Sequence, residues 1–350
     1  LRGRAENYWL SDLDLKSIPA REESAENLVS EPLVSVLMLG WNHANYIDQA
    51  IESVVSQQCG FPFELIIGED CSSDDTLSHC RAWLEKFPTV IRIVTAEHNV
   101  GMHRNFARIW HRARGEFVAL CEGDDYWVAP AKLQKQIDWF NANPNDSLVG
   151  TFTERVAQTP ASEWLVSGRS APIETKETYS LCDLLRSYSF HFSSVMIRKR
   201  AVRFPRWFWG VYCVDRPLYL LAAQNATAGL LPMVTSHYRQ HPGGLWSPRS
   251  PLAKGEASRD LFGKLAMHLG EPYAETCRQT LAGILWSYMS EAIAAGDWIA
   301  ARKLYWQALR ENPRHLLRGQ GTAIPVAGLR VHFPALYQTL RGKRATGAKV

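Results

Sequence analysis

Phe117-Val118-Ala119-Leu120-Cys121-Glu122-Gly123-Asp124-Asp125 decides the fold, because an unbroken apolar run empties into a cluster of acids. A short, continuously apolar run bounded by turn residues is the pattern of a strand buried on both faces of a parallel sheet. In open α/β sheets the carboxyl ends of such strands face the ligand crevice. Carboxylates crowded there repel one another unless something positive lies between them, and a divalent cation held by oxygens is the usual answer. The same tetrapeptide also fits a solvated acidic turn capping a helix that begins near Pro130.

Working outward, the pattern recurs at Leu33 to Leu39 (LVSVLML), Phe63 to Gly68 (FELIIG) and Val90 to Thr95. Between these runs lie amphipathic stretches that predict helices at about 46–57, from Asp74 or Asp75 as a cap to about Phe87, and at 102–113. Strands alternating with helices of this length demand right-handed crossovers and a parallel sheet. The turns Gly40-Trp41-Asn42 and Glu69-Asp70-Cys71-Ser72-Ser73-Asp74-Asp75-Thr76 then converge on one rim. The second half is mixed: helices at 132–143 and about 216–224, strands near 148–153, 191–197 and 231–238.

Length and composition set the frame. The 350 residues are 46% hydrophobic and 21% charged, an ordinary globular balance with room for one large domain and an appendage. No apolar run reaches the length of a transmembrane helix. The lead-in, 1–32, carries seven acids against four bases up to Glu31 and lacks the apolar core of a signal peptide. Seven cysteines without a C-x-x-C pair argue against a disulfide framework or thiolate zinc site and suit a reducing cytoplasm. The expected organisation is a lead-in (1–32), an α/β domain (33–250) and a helical C-terminal region (251–350) with a basic tail.

With these residues in view, the chain resembles the family 2 glycosyltransferases over roughly 33–245. Val34-Ser35-Val36 runs into Trp41-Asn42, then come the acidic Ser-rich turn, Asn99-Val100-Gly101, and Glu122-Gly123-Asp124-Asp125-Tyr126-Trp127, in the family's order. The departures are Leu39 where the family often has Pro, Gly40 and Trp41 for Thr and Tyr, Glu69 for Asp and Cys71 for Gly. The resemblance implies a GT-A fold, a mostly parallel nucleotide-binding sheet flanked by helices. It implies a metal-dependent, inverting transfer of sugar from a nucleoside-diphosphate donor, UDP-linked, to a glycan or lipid-linked acceptor in bacterial polysaccharide biosynthesis. No nucleic-acid partner is expected.

Residue by residue, the resemblance assigns Asp125 and His241 to the metal, Mn²⁺ or Mg²⁺, since both ions accept such ligands. Asp124 would contact sugar or metal, and Asp70 the base edge, unless it is a turn aspartate. Leu39, Trp41 and Asn42 would line the nucleotide site, with Trp41 stacking on the base or packing beneath it. Gly101 would let backbone approach the diphosphate, and Arg104 would add charge or remain a surface helix residue. Asp215, in Val214-Asp215-Arg216-Pro217, falls where inverting members carry their base; Asp then Pro is also an ordinary helix start. After His241, Gly243-Gly244 suggest a loop that closes over donor. His191-Phe192-Ser193-Ser194 is read as a strand lining the acceptor side, without a catalytic role.

Beyond 280 the reading is a tetratricopeptide-type hairpin, Leu281 to Ala295 and Trp298 to Glu311, broken at Gly296-Asp297. From Ala301 to Val350 ten Lys or Arg face the single acid Glu311. With Val326 to Leu340 as an interfacial helix, that tail would give peripheral contact with the inner face of the membrane. Two rivals are kept: a nucleotidyltransferase, which wants a Gly-rich, Lys/Arg-bearing loop after the first strand, and a non-catalytic sugar-nucleotide-binding or scaffold protein.

Overall fold

The structure, a computed structural model, describes residues 8–159, 163–170, 175–187, 190–241, 243–244, 249–313, 328 and 331–332. The chain divides into two compact units, 1–241 and 242–350. Most of the 326–340 segment and most of the loop after His241 lie outside the described residues; of the former, Gly328, Val331 and His332 are described, and they are helical.

Unit one is built on the expected apolar runs. β2 (Val34–Gly40), β3 (Phe63–Glu69), β4 (Ile91–Thr95) and β5 (Phe117–Glu122) pair in parallel, in the order β4-β3-β2-β5. Every residue of β2 and β4 is buried, which explains why these strands read as continuous rather than alternating. Helices α2 (Ile47–Val55), α3 (Thr76–Lys86) and α4 (Met102–Arg112) supply the crossovers. Ile47, Ala50, Ile51 and Val54 form one buried stripe of α2, joining Val36, Met38, Leu65 and Ile67 in the core.

The sheet then turns mixed. β10 (Met196–Arg198) lies antiparallel to β5 and to β7 (Asp146–Gln158), and β11 (Thr227–Gln240) runs parallel to β7. β6 (Tyr126–Trp127) closes that edge against β11, while β8 (Trp164–Ser170) and β9 (Thr178–Tyr179) pair with β7 and β11. Helices α5 (Lys132–Ala142), α6 (Leu181–Arg186) and α7 (Asp215–Ala222) complete the unit.

One expectation needs correcting. The 191–197 strand begins only at Met196; His191 instead caps a 3₁₀ turn, Phe192–Ser194, through Ser194 N–H to its carbonyl (3.0 Å). Serine side chains that bond local backbone compete with ladder formation. The lead-in has regular structure of its own. It holds a short helix, α1 (Asp12–Lys16), and β1 (Arg21–Glu23), which adds an antiparallel edge to β4. Glu22 pairs with Arg92 at 2.8 Å, and Glu23 with Arg81 at 2.7 Å.

Unit two contains α8 (Pro251–Leu269), α9 (Tyr273–Ala294) and α10 (Trp298–Glu311). The expected hairpin is α9–α10, with Gly296 at φ 76° in the break. α8 was not separated out in the sequence; it packs its Leu261, Phe262 and Leu265 inward and ties Lys254 to Glu291 of α9 at 2.8 Å. No helix among the described residues is long and apolar enough to cross a membrane.

Candidate active site

β5 delivers Glu122 to the sheet's carboxyl rim, and Gly123 then turns the chain beneath β2. A Cβ on Gly123 would meet the Leu39 carbonyl at 2.8 Å and His43 Nδ1 at 2.9 Å, so no side chain fits. Its N–H instead bonds that Leu39 carbonyl at 2.8 Å. The next two carboxylates diverge. Asp125 is fully buried, accepting from Ser193 Oγ (2.7 Å) and from the Arg239 N–H (3.1 Å). Asp124 points to two imidazoles, His241 Nε2 at 3.1 Å and His43 Nε2 at 3.6 Å.

The metal ligands expected from sequence, Asp125 and His241, therefore belong to different groupings. His241 sits on Asp124. Asp125 gathers with Glu122 and His191, whose ligand atoms all lie within 4.8 Å of one another. His191 and Ser193 were read from sequence only as lining the acceptor side, and His43 and Arg239 were given no site role. That arginine bonds the Asp124 carbonyl at 2.7 Å and the Gln49 side chain, with its guanidinium 4.3 Å from the Tyr126 ring and 5.3 Å from Tyr46. Only its place in Tyr238-Arg239-Gln240-His241 hinted at it.

Electrostatics follow from this packing. Burial pushes the Glu122 carboxyl well above its usual range, with repulsion from Asp124, Asp125 and Asp215 adding to it. Asp125 is raised too, by burial and then by Asp124. For Asp124 burial works in the same direction, but His43 and His241 outweigh it and hold the carboxyl below its ordinary value. Burial drives the His191 imidazole down to about 4 against the pull of Asp215 and Asp124, leaving a neutral ring with a lone pair. The buried Nδ1 of His43 has no hydrogen-bond partner. Carboxylate oxygens, the neutral imidazole of His191 and the orphaned ring nitrogen of His43 form a donor set that fits a divalent cation of the Mg²⁺ or Mn²⁺ kind.

Asp215 opens α7, with its Oδ1 accepting from Arg216 N–H at 2.7 Å. It is near enough to the cluster to oppose ionisation of Glu122 and to favour protonation of His191. Asp70, at the end of β3, accepts from Val100 N–H (2.8 Å) and Gly101 N–H (2.9 Å), with Arg108 at 3.6 Å. It thus clamps the loop entering α4, where Gly101 takes φ 85°. A base edge would have to share those oxygens.

The loops after β2 and β3 are stitched together. Asn42 N–H bonds Ser72 Oγ (2.9 Å), Asn42 Oδ1 accepts from Ser73 N–H (2.8 Å), and Ala44 N–H bonds Asp74 Oδ2 (3.0 Å). Asn42 and Cys71 both sit at φ 56°, a conformation held only by such surroundings. Leu39 is buried behind this rim, and Trp41 stands 43% exposed on it. Arg104, expected beside the diphosphate, lays its guanidinium 5.6 Å over the Trp209 ring.

Comparison with known proteins adds to this geometry. Residues 35–203 match the family model described as glycosyl transferase family 2. The uncharacterized protein Rv1520 of Mycobacterium tuberculosis is 28% identical over 213 residues, 61% of this chain and 60% of that one. TuaG of Bacillus subtilis, whose name provisionally assigns it to teichuronic acid biosynthesis as a glycosyltransferase, is 35% identical over 109 residues, 31% of this chain and 42% of that one. The chain thus spans about 60% of the length of the first curated relatives it matches. The crystal structure of S. aureus TarS 1-349 in complex with UDP-GlcNAc superposes with a TM-score of 0.62 at 19% identity, covering 90% of this chain and 92% of that one. That likeness establishes the GT-A architecture.

Proposed function

We propose, for a chain whose residues 35–203 match the glycosyl transferase family 2 model, that it moves a sugar from a nucleoside-diphosphate donor to an acceptor hydroxyl with inversion. UDP is the first nucleotide to test, and a cell-surface glycan or its lipid-linked precursor, reached from the cytoplasmic face, the first acceptor class. One observation carries the reading. The acidic motif, three imidazoles and Asp215 meet at the carboxyl rim of a parallel sheet, where open α/β folds take ligands.

Asp124 with His241 and His43, or Glu122 with Asp125 and His191, would hold a divalent cation. When bound, such an ion would neutralise charge on the departing diphosphate. The protein's own groups do the rest. The Asp70 clamp on the Val100 and Gly101 N–H groups fixes the loop entering α4, and the missing side chain of Gly101 would let the phosphates approach its backbone. Asp215 takes the proton of the acceptor hydroxyl as its oxygen bonds to the sugar's carbon 1. The carbon–oxygen bond to diphosphate breaks on the opposite side, and its electron pair leaves with the nucleotide. A single displacement with one base and no enzyme nucleophile inverts the anomeric centre.

The test is release of UDP from a panel of UDP-sugars with Mn²⁺ or Mg²⁺, with and without acceptor. Asp215→Asn should keep nucleotide binding and lose turnover by about 100- to 10,000-fold. Unchanged turnover in that variant would remove the base assignment. Failure of the wild-type protein to bind any sugar nucleotide would remove the reading itself.

A further inference from the structure

The lead-in closes a cavity of about 300 Å³ against the first turn of α4 and the 3₁₀ segment Arg206–Gly210. Leu10 and Ile18 give it an apolar wall; Asp14, Arg104, Arg206 and Trp209 supply the rest of the chemistry. Asp14 is the one carboxylate of this lining, and it is already paired with Arg206. Its Oδ2 accepts from Ser11 N–H at 2.8 Å, Ser11 Oγ at 2.7 Å and Arg206 Nη2 at 2.7 Å. Arg104 is different: among the described residues it meets the Trp209 ring and no carboxylate. The cavity therefore keeps one uncompensated positive charge, on a planar fork ordered in advance by the indole.

Its position ties it to the candidate site. Arg104 lies three residues past Gly101, and its neighbour His103 meets the Cys213 carbonyl at 3.1 Å, two residues before Asp215. The first turn of α4 thus carries both a lining residue and a contact to the backbone just before the proposed base. An apolar wall and an indole suit the carbon face of a sugar ring, while the guanidinium fork suits a carboxylate or phosphate on that ring. A volume at the small end of ligand pockets suits a single saccharide unit.

We propose that this cavity is an acceptor subsite for a saccharide unit carrying a carboxylate or phosphate group. Its role as acceptor site rests on the transferase reading above; binding of the charged sugar does not. The experiment is ligand-observed NMR titration of the whole chain, without donor, using methyl glucuronoside, glucose 6-phosphate, methyl glucoside, inorganic phosphate and, separately, UDP. The charged sugars should bind about tenfold or more tighter than methyl glucoside, and Arg104→Gln should abolish that margin. Ser17→Trp, at an exposed lining position, should block the charged sugars while keeping the charge of Arg104. Preference for glucuronoside over glucose 6-phosphate, or the reverse, identifies the anion within the proposal.

Equal binding of charged and neutral sugars, phosphate alone binding as tightly as glucose 6-phosphate, or no sugar binding at all would each overturn it. So would an Arg104→Gln variant that weakens UDP and leaves charged sugars untouched, because Arg104 would then serve the nucleotide. Release of UDP from UDP-sugars, measured in the same variants, reports on the transferase reading independently.

Discussion

Ser193→Ala is the most informative single change. Ser193 Oγ donates to Asp125 at 2.7 Å and accepts from Glu122 N–H at 3.1 Å, so one buried hydroxyl braces two acids of the motif. A buried hydrogen bond is worth ~0.5–1.5 kcal/mol net, and leaving the Asp125 oxygen and the Glu122 amide without their shared partner adds ~1–3 kcal/mol, giving about 3 kcal/mol in all. Ser194 is the control. It is equally buried, but its Oγ donates only to the His191 carbonyl at 2.8 Å, so Ser194→Ala should cost about 1 kcal/mol. Urea unfolding gives both values. Turnover should separate them further: loss of a group that orients a ligand-bearing carboxylate typically costs about 10- to 100-fold. Equal destabilisation by the two variants, with turnover unchanged in both, would refute the bracing role.

Lys132 is buried, bonds Gln136 Oε1 at 2.8 Å and lies 4.2 Å over Trp127; burial drives its ammonium down to about 7. The unfolded chain therefore binds more protons between pH 7 and about 10, and stability should rise with pH by at most about 1.4 kcal/mol per unit, less whatever the indole face returns to the charged form. Lys132→Met should flatten that slope; parallel urea curves at pH 7.5 and 9.5 for both proteins would contradict it. Glu64, fully buried, accepts from Ser35 Oγ (2.7 Å), Arg114 N–H (2.8 Å) and Arg92 Nη1 (2.8 Å). Burial opposes its ionisation, but those donors win and hold the carboxyl below its usual range. Its contribution should be complete above the unfolded carboxylate range and fade as acid titrates the folded group. Glu64→Gln should cost about 3 kcal/mol at pH 7 and lose that acid-side slope, read by thermal unfolding between pH 3 and 7.

The parallel half of unit one was legible because each strand is a short apolar run and each crossover an amphipathic helix. β1 was not. Arg21–Glu23 has no apolar alternation, and what makes it a strand is the unpaired edge of β4 rather than its own residues. The acidic motif was visible, yet the division of labour within it was hidden. Ser193 reaches Asp125 across 68 residues and Arg239 across 114, and no local pattern encodes such meetings. His191 was set aside for the same reason, since a histidine in a run read as strand carries no sign of the carboxylates it will face. The helix start at Asp215 was legible through Pro217, whereas its reading as a base came from the family resemblance alone.

A three-residue strand at the margin of a large sheet has a consequence for handling this molecule. β4 would otherwise present a row of open N–H and C=O groups, a template for another chain to add to. β1 occupies that row, and its glutamates anchor it to Arg92 and Arg81. Trimming the chain to residue 33, a natural choice if the lead-in were dispensable, would uncover sticky backbone. Such a fragment should self-associate and precipitate even with its catalytic rim intact.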